Sequence, residues 1–487
     1  MRKYIVIAFL LMAAGTKAQQ GAQAFSLEEA IQFALQNSIA NKNAKLDVDA
    51  TRYREWEIKS IGMPNIEATF DYNYYYLKPV TQGAGSLFSG GIFGSLFGSV
   101  AAKDSLFRKA MSAQNHNTKS ERVSFMLPHN ATFSATLSQL IFDGRYFVGV
   151  KAAKDLSAIQ RHLKTKTEFD IKYDVTKAYY QAAAAKSAIA ELENLLPIID
   201  KLLSDTRATY KEGLAEELDV DRLELIKSSI HSQIIQQKLR QELAINNLKY
   251  QIGFPFNNAL IIKDDFDMLY AAEATKALGN FNAQNRIEYQ LLETTIKLKG
   301  YDVEQKRAGY YPTLVGFVNF GYSGQTDKLQ YFFKNKKELV AADPEFGFPA
   351  VEKTTQTWWS QGLVGLKLTI PIFDSGKKWA IIGQAKIEQE KAKNDLENFK
   401  NASQIQVAAN ETNYKAAVLE EENAKNSFEL AKKITLKTQT KFKEGIGNSF
   451  ELTQAQQDFV SKKLGIIQAK MNVLMAKTEL QKSLGVK

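Results

Sequence analysis

Cysteine is absent from the 487 residues, and the four histidines, His116, His129, His162 and His231, are scattered. Without thiolates there is no disulfide framework, no thiolate metal site and no cysteine to carry a lipid anchor, and the histidines share no ligand spacing. No nucleophile motif stands among the hydroxyl side chains. Gly90-Gly91 lies in a Gly- and Ser-rich stretch, but no Gly-Lys-Ser/Thr follows, so it is not a phosphate loop. Acid–base and metal chemistry thus have no constellation to use; neither an enzyme nor a cofactor is expected. A formal charge of +10 would suit nucleic acid. Lys and Glu are interspersed along helical segments, however, and no nucleic-acid motif accompanies them, so no nucleic-acid partner is expected.

The polar residues at telling positions are caps. Val364, Leu366, Leu368, Ile370 and Ile372 alternate with Gly365, Lys367 and Thr369, the period of a strand with one apolar face. Pro371 marks the end of strand pairing, and after Gly376 a long breaker-poor stretch is fit only for helix. Asp374 or Ser375 is placed to cap it. Asp143-Gly144 is an earlier echo of this joint, also preceded by alternation and followed by long helix. Lacking the Pro and the Ser, it reads as the less well formed copy.

These joints need elements to hold them. Residues 1–18 read as a signal peptide: basic Arg2 and Lys3, apolar Tyr4 to Ala14, and Thr16-Lys17-Ala18 as a cleavage site. No run approaches the ~20 apolar residues of a spanning helix. Ser26-Leu27-Glu28-Glu29 has the capping-box pattern and opens a helix over 26–61, ending at Gly62-Met63-Pro64. A strand over 64–77 sets Ile66, Ala68, Phe70, Tyr72 and Tyr74 against Asn65, Glu67, Thr69, Asp71 and Asn73. A half-buried strand of a soluble sheet alternates in the same way; the tyrosines at 72 and 74–76 fit the aromatic girdle of a membrane barrel. An outward loop, 78–130, leads to a strand over 131–143. A helix over 145–211 would be ~100 Å long, too long for a globular domain. Gly213 ends it as a left-handed cap, a return helix spans 218–252, and an irregular linker spans 253–284.

The second half repeats this programme. A helix over 285–309, strands over 312–323 and 357–373, an outward loop over 324–356, a long helix over 376–443 and a return helix over 450–484 are expected. Pro64 aligns with Pro312, Phe142-Asp143 with Phe373-Asp374, and Tyr210-Lys211-Glu212-Gly213 with Phe442-Lys443-Glu444-Gly445. The chain therefore reads as two structural repeats, 19–284 and 285–487. Val460, Leu464, Ile467, Met471 and Leu474 form a heptad seam for helix–helix packing. Four strands cannot close a membrane barrel, which needs at least ~8, and a bilayer tolerates no open edge. The expected fold class is a mixed α and β membrane protein, in which amphipathic strands join those of other copies in a barrel. Long antiparallel helical hairpins form a coiled-coil tube.

This layout is similar to that of the TolC-type outer-membrane factors of efflux pumps and type I secretion. The resemblance spans nearly the whole mature chain. It rests on the duplication, on Leu368-Thr369-Ile370-Pro371-Ile372-Phe373-Asp374-Ser375-Gly376, and on Phe442-Lys443-Glu444-Gly445 followed by Ser449-Phe450-Glu451-Leu452-Thr453-Gln454-Ala455-Gln456. It implies a homotrimer sharing a 12-stranded β-barrel in outer-membrane lipid of a Gram-negative bacterium, with a periplasmic helical tunnel. The function it implies is an exit duct for efflux of small molecules or type I secretion. The partners it implies are a periplasmic adaptor (membrane fusion) protein and an inner-membrane transporter of RND, ABC or MFS type. Carried over by position, Gly213, Leu214, Gly445, Ile446 and Ser449 become adaptor-docking tips, and Asp219 and Glu451 a periplasmic gate. Six carboxylates around a trimer axis would hold cations and resist closing. The ordinary preference of acids for a helix N-terminus is the other account of these two residues. Two positions depart from the family pattern: Gly447-Asn448 stands where some members hold an Arg that ties the closed state, and Gln454 where a second acid occurs. The competing function class, a structural or adhesive coiled-coil protein, accounts for the long helices but not for the Tyr- and Trp-flanked strands.

Overall fold

A computed structural model describes residues 23–77, 127–334, 336–340, 351–355 and 357–485. The expected signal segment, nearly all of the first outward loop with Gly90-Gly91 and His116, and part of the second loop lie outside these residues. In chain order the elements are β1 (Gln23–Phe25), α1 (Leu27–Asn37), α2 (Ile39–Ser60), β2 (Asn65–Tyr74), β3 (His129–Asp143), α3 (Gly144–Lys211), α4 (Glu217–Ile252), β4 (Leu260–Ile262), α5 (Phe266–Ala274), α6 (Ile287–Ala308), β5 (Thr313–Thr326), β6 (Lys336–Val340), β7 (Val351–Thr355), β8 (Trp358–Thr369), α7 (Lys377–Lys443) and α8 (Ser449–Leu484). Two compact units share the chain, each drawing on both sequence repeats. One comprises Met1–Glu57, Val148–Arg307 and Lys377–Lys487; the other comprises Ile58–Phe147 and Ala308–Gly376.

The first unit is helical. Tyr179 on α3 is fully buried, with its hydroxyl 2.9 Å from the Phe25 carbonyl and 3.0 Å from Asp264 Oδ2. The same carboxylate accepts the Leu27 N–H at 2.9 Å, so one phenol and one acid tie three segments together. Phe25, Phe33 and Phe254 pack edge-on beside them, with ring centroids 5.3 to 5.9 Å apart. Farther along, Leu192, Ile199, Leu223, Ile226, Ile230, Leu452 and Val460 form a second core from α3, α4 and α8. Of the heptad seam, Val460, Ile467 and Leu474 are buried, and Leu464 and Met471 pack against them. Ion pairs edge these cores. Lys482–Asp170 (2.8 Å) and Lys463–Glu191 (3.1 Å) join α8 to α3, and Lys227–Asp200 (2.6 Å) and Lys238–Glu193 (2.9 Å) join α4 to α3.

Three expectations change here. The single helix over 26–61 is two. Ser38 has extended backbone, and its hydroxyl accepts the Asn41 N–H at 3.3 Å as a new cap. The break lies where the backbone of Gly253 presses against Asn37: a Cβ on Gly253, at φ 72°, would sit 2.7 Å from the Asn37 carbonyl oxygen. The linker over 253–284 is not irregular. β4 pairs in parallel with β1, and Asp265 Oδ1 caps α5 by accepting from Asp267 and Met268. The outward loop over 324–356 starts later, because β5 runs to Thr326, and it holds the antiparallel β6–β7 hairpin.

The second unit carries a four-stranded antiparallel sheet in the order β2-β3-β5-β8. Its register sorts side chains by face. Ile66, Leu137, Val318 and Val364 align across one face, as do Ala68, Ala135, Phe320 and Gly362. Across the other run Glu67, Thr136, Asn319 and Leu363, then Thr69, Ser134, Gly321 and Gln361. Lateral hydrogen bonds knit this polar face, Thr69 with Ser134 at 2.9 Å and Asn319 to Thr136 at 2.7 Å. Aromatic residues gather at one end of the apolar face, where Tyr72 lies 2.7 Å from His129 Nδ1 and Tyr74 packs on the same imidazole. The outer edges of β2 and β8 have no partner strand among the described residues.

Candidate functional site

The tips join α3 to α4 and α7 to α8. Both long helices end in a left-handed glycine, Gly213 at φ 73° and Gly445 at φ 72°. In each case the next N–H bonds five residues back, Leu214 to the Thr209 carbonyl at 3.0 Å and Ile446 to Lys441 at 3.1 Å. This is the Schellman closure, and a side chain on either glycine would strain it. Leu214 and Ile446 project into solvent, 81% and 74% exposed. Ser449 does not join them; it is 3% exposed and opens α8 behind the Asn448 cap.

Asp219 and Glu451 occupy equivalent places in the first turns of α4 and α8. Asp219 Oδ2 accepts the Glu216 N–H at 3.2 Å, closing that helix end. A capping role is therefore built into Asp219, whatever else its charge does. The structure also brings the two tips together through a residue not expected from sequence. Arg222, one turn beyond Asp219, donates to Ser449 Oγ at 2.7 Å, approaches Asn448 Oδ1 at 3.4 Å, and lies 5.6 Å from the centre of the Phe450 ring. Arg222 is the first-repeat counterpart of Gln454, so aligning the repeats residue by residue marks the position. Its partner, 227 residues away, could not be read that way.

The joints differ from expectation. β3 passes into α3 without a break at Asp143-Gly144, and the Asp143 carboxylate accepts from Arg145 through both backbone (2.8 Å) and guanidinium (2.7 Å). The second joint is the looser one. β8 ends at Thr369 and α7 begins at Lys377, with Pro371 in between. Asp374 Oδ1 accepts the Gly376 N–H at 3.2 Å in a local turn. Ser375 and Gly376 are both left-handed, at φ 55° and 81°, which is incompatible with an uninterrupted strand-to-helix passage.

Elsewhere, the buried phenols are packing groups. Burial raises the Tyr173 pKa to about 12, and pushes Tyr179 and Tyr180 higher still, so all three stay neutral. Among the described residues no His/Cys/Asp/Glu cluster could hold a metal, and no helix is long and apolar enough to cross a membrane.

Residues 283–486 match the family model "outer membrane efflux protein". Over 397 residues the chain is 21% identical to the probable efflux pump outer membrane protein TtgC of Pseudomonas putida, covering 80% of this chain and 75% of that one. Among solved structures, CusC superposes with a TM-score of 0.67 at 13% identity, over 94% of this chain and 91% of CusC. VceC of Vibrio cholerae superposes at 0.62 and 13% identity, over 94% and 96%. The family model covers the second repeat, and the structural likeness extends the same fold across the first. The second repeat is thus similar in sequence to the outer membrane efflux proteins, and the chain as a whole is similar in fold to CusC and VceC.

Proposed function

We propose that three copies of this chain form an outer-membrane exit duct, working with a periplasmic adaptor and an inner-membrane transporter of the RND, ABC or MFS type. The observation that carries this is the four-stranded sheet with one apolar face, one polar face and two open edges. In a bilayer such edges must pair, and joining β2 of one copy to β8 of the next closes the ring with lipid outside and water inside. Three copies supply the twelve strands of the shared barrel. Exposed apolar stripes support the same association. Leu225, Ile235, Leu239 and Leu243 lie along one side of α4, and Ile405, Leu419, Leu430 and Ile434 along one side of α7. Neither stripe is covered within the protomer.

The export signal at 1–18 and a periplasmic location for the helices belong to this reading. So does a gate at Asp219 and Glu451, whose helix starts Arg222 draws together, and so do Leu214 and Ile446 as the adaptor's seat. Cargo is set by the transporter behind the duct. Relatives in Pseudomonas putida are described as antibiotic and toluene efflux proteins, which makes small apolar molecules the first class to try. Planar-bilayer recordings on protein purified from outer membranes test the duct. Stable conductance from a heat-modifiable oligomer is expected; a soluble, non-conducting protein would overturn it.

A further inference from the structure

The two tips are near copies in backbone and in their exposed apolar residue, but not in charge. Residues 200–221 carry seven acidic and three basic side chains; the equivalent residues 432–453 carry two acidic and five basic. At the first tip Asp200 and Arg207 are already paired, with Lys227 and Glu224. Glu212, Glu216, Glu217 and Asp221 are exposed and make no ion pair among the described residues. At the second tip the same holds for Lys432, Lys433, Lys437, Lys441 and Lys443.

Ordinary solvation does not account for this segregation. In the first part of α7 the lysines alternate with acids and pair with them three residues back: Lys391 with Glu388, Lys393 with Glu390, Lys400 with Glu397. Near the tip that arrangement stops. Lys433, Lys437 and Lys441 follow one another at four-residue spacing, where like charges repel across one helical turn and weaken the helix. Charge held at a cost to the helix has another use. A surface of single sign, such as an anionic membrane or a nucleic acid, would be drawn to one tip and repelled by its neighbour. A protein with surfaces of both signs fits both.

We propose that opposite charge on these two equivalent tips sets the register of the periplasmic partner, which turns a basic surface to the first tip and an acidic surface to the second. The inference rests on the adaptor reading above and adds the feature by which that partner tells the repeats apart. Leu214 and Ile446 offer equivalent apolar contacts and so cannot discriminate. A partner shifted by one tip would meet like charge at every position, the repulsive element that specificity needs.

The test places a photocrosslinking amino acid at Leu214 or Ile446 in the full chain, in its own outer membrane with its own partners, and sequences the linked peptides. Position 214 is expected to capture segments of net positive charge, and position 446 segments of net negative charge. Reversing the first tip (Glu212→Lys, Glu216→Lys, Glu217→Lys) is expected to lower capture at 214 by ~10-fold. Linked segments of the same sign at both positions, or capture unaffected by reversal, would overturn the charge proposal while leaving the docking reading intact. Absence of any linked protein at either position of an intact oligomer would overturn the docking reading, and this proposal with it. Should the reversed chain fail to assemble, the peptide charges from the unreversed protein decide alone.

Discussion

Asp219 and Glu451 are both carboxylates at one place in two repeats, and that equivalence was readable from the sequence offset alone. Their consequences were not. Asp219 closes its helix end through Glu216, so its removal mixes a structural loss with an electrostatic one. Amide substitutions separate the two, because Asn keeps a capping acceptor. For Asp219→Asn with Glu451→Gln we expect lower cation selectivity in bilayer recordings and little change in oligomer stability. Asp219→Ala is expected to add a loss of ~1 kcal/mol in thermal unfolding. Unchanged ion selectivity in the amide double variant would remove both carboxylates from the gate. Arg222 was missed because its contacts span the chain, and no local pattern announces a partner in the other repeat.

The long helices were legible because breakers are few over stretches no globular domain needs. Their lateral order was not legible, since it depends on ion pairs between distant segments. Asp170 is one such tie. Burial pushes its carboxyl up, but bonds from Lys166 and Lys482 outweigh this and hold it below the usual range. A carboxyl depressed in the folded state adds stability above its unfolded pKa of ~3.9 and loses it as pH falls through the lower folded value. Asp170→Asn is therefore expected to cost up to ~1 kcal/mol at neutral pH. The difference should shrink as pH falls below that unfolded value and vanish in urea titrations run below the lower folded value. A gap that persists there would mean packing, not charge, sets the cost. The three-residue strands β1 and β4 escaped notice for the opposite reason: too short to show a period, they exist only through each other. At the second joint, the left-handed Ser375 and Gly376 interrupt a passage that the sequence pattern suggested as continuous.

At the scale of the molecule, amphipathic strands and duplication sufficed to read the four-stranded sheet and the two long hairpins, and the sheet's two faces support the proposed barrel residue by residue. The compact units were not legible, since each gathers segments from both repeats. Assembly has its own expected outcome. Leu239→Glu with Leu243→Glu on the exposed stripe of α4 should reduce the heat-modifiable oligomer band while leaving the protomer's helical signal intact. An undiminished band would show that the sheet edges alone hold the copies together.

The parallel pairing of β1 with β4 bears on the order in which the chain matures. Leu27 and its partner Asp264 are 237 residues apart. A polypeptide delivered across a membrane amino end first must therefore leave its opening strand waiting until residue 260 has followed. Closing so large a loop is slow, and the long α3–α4 hairpin, whose contacts are local, can form in the interval. The first residues of the helical unit are thus expected to settle after the α3–α4 segment, not before it.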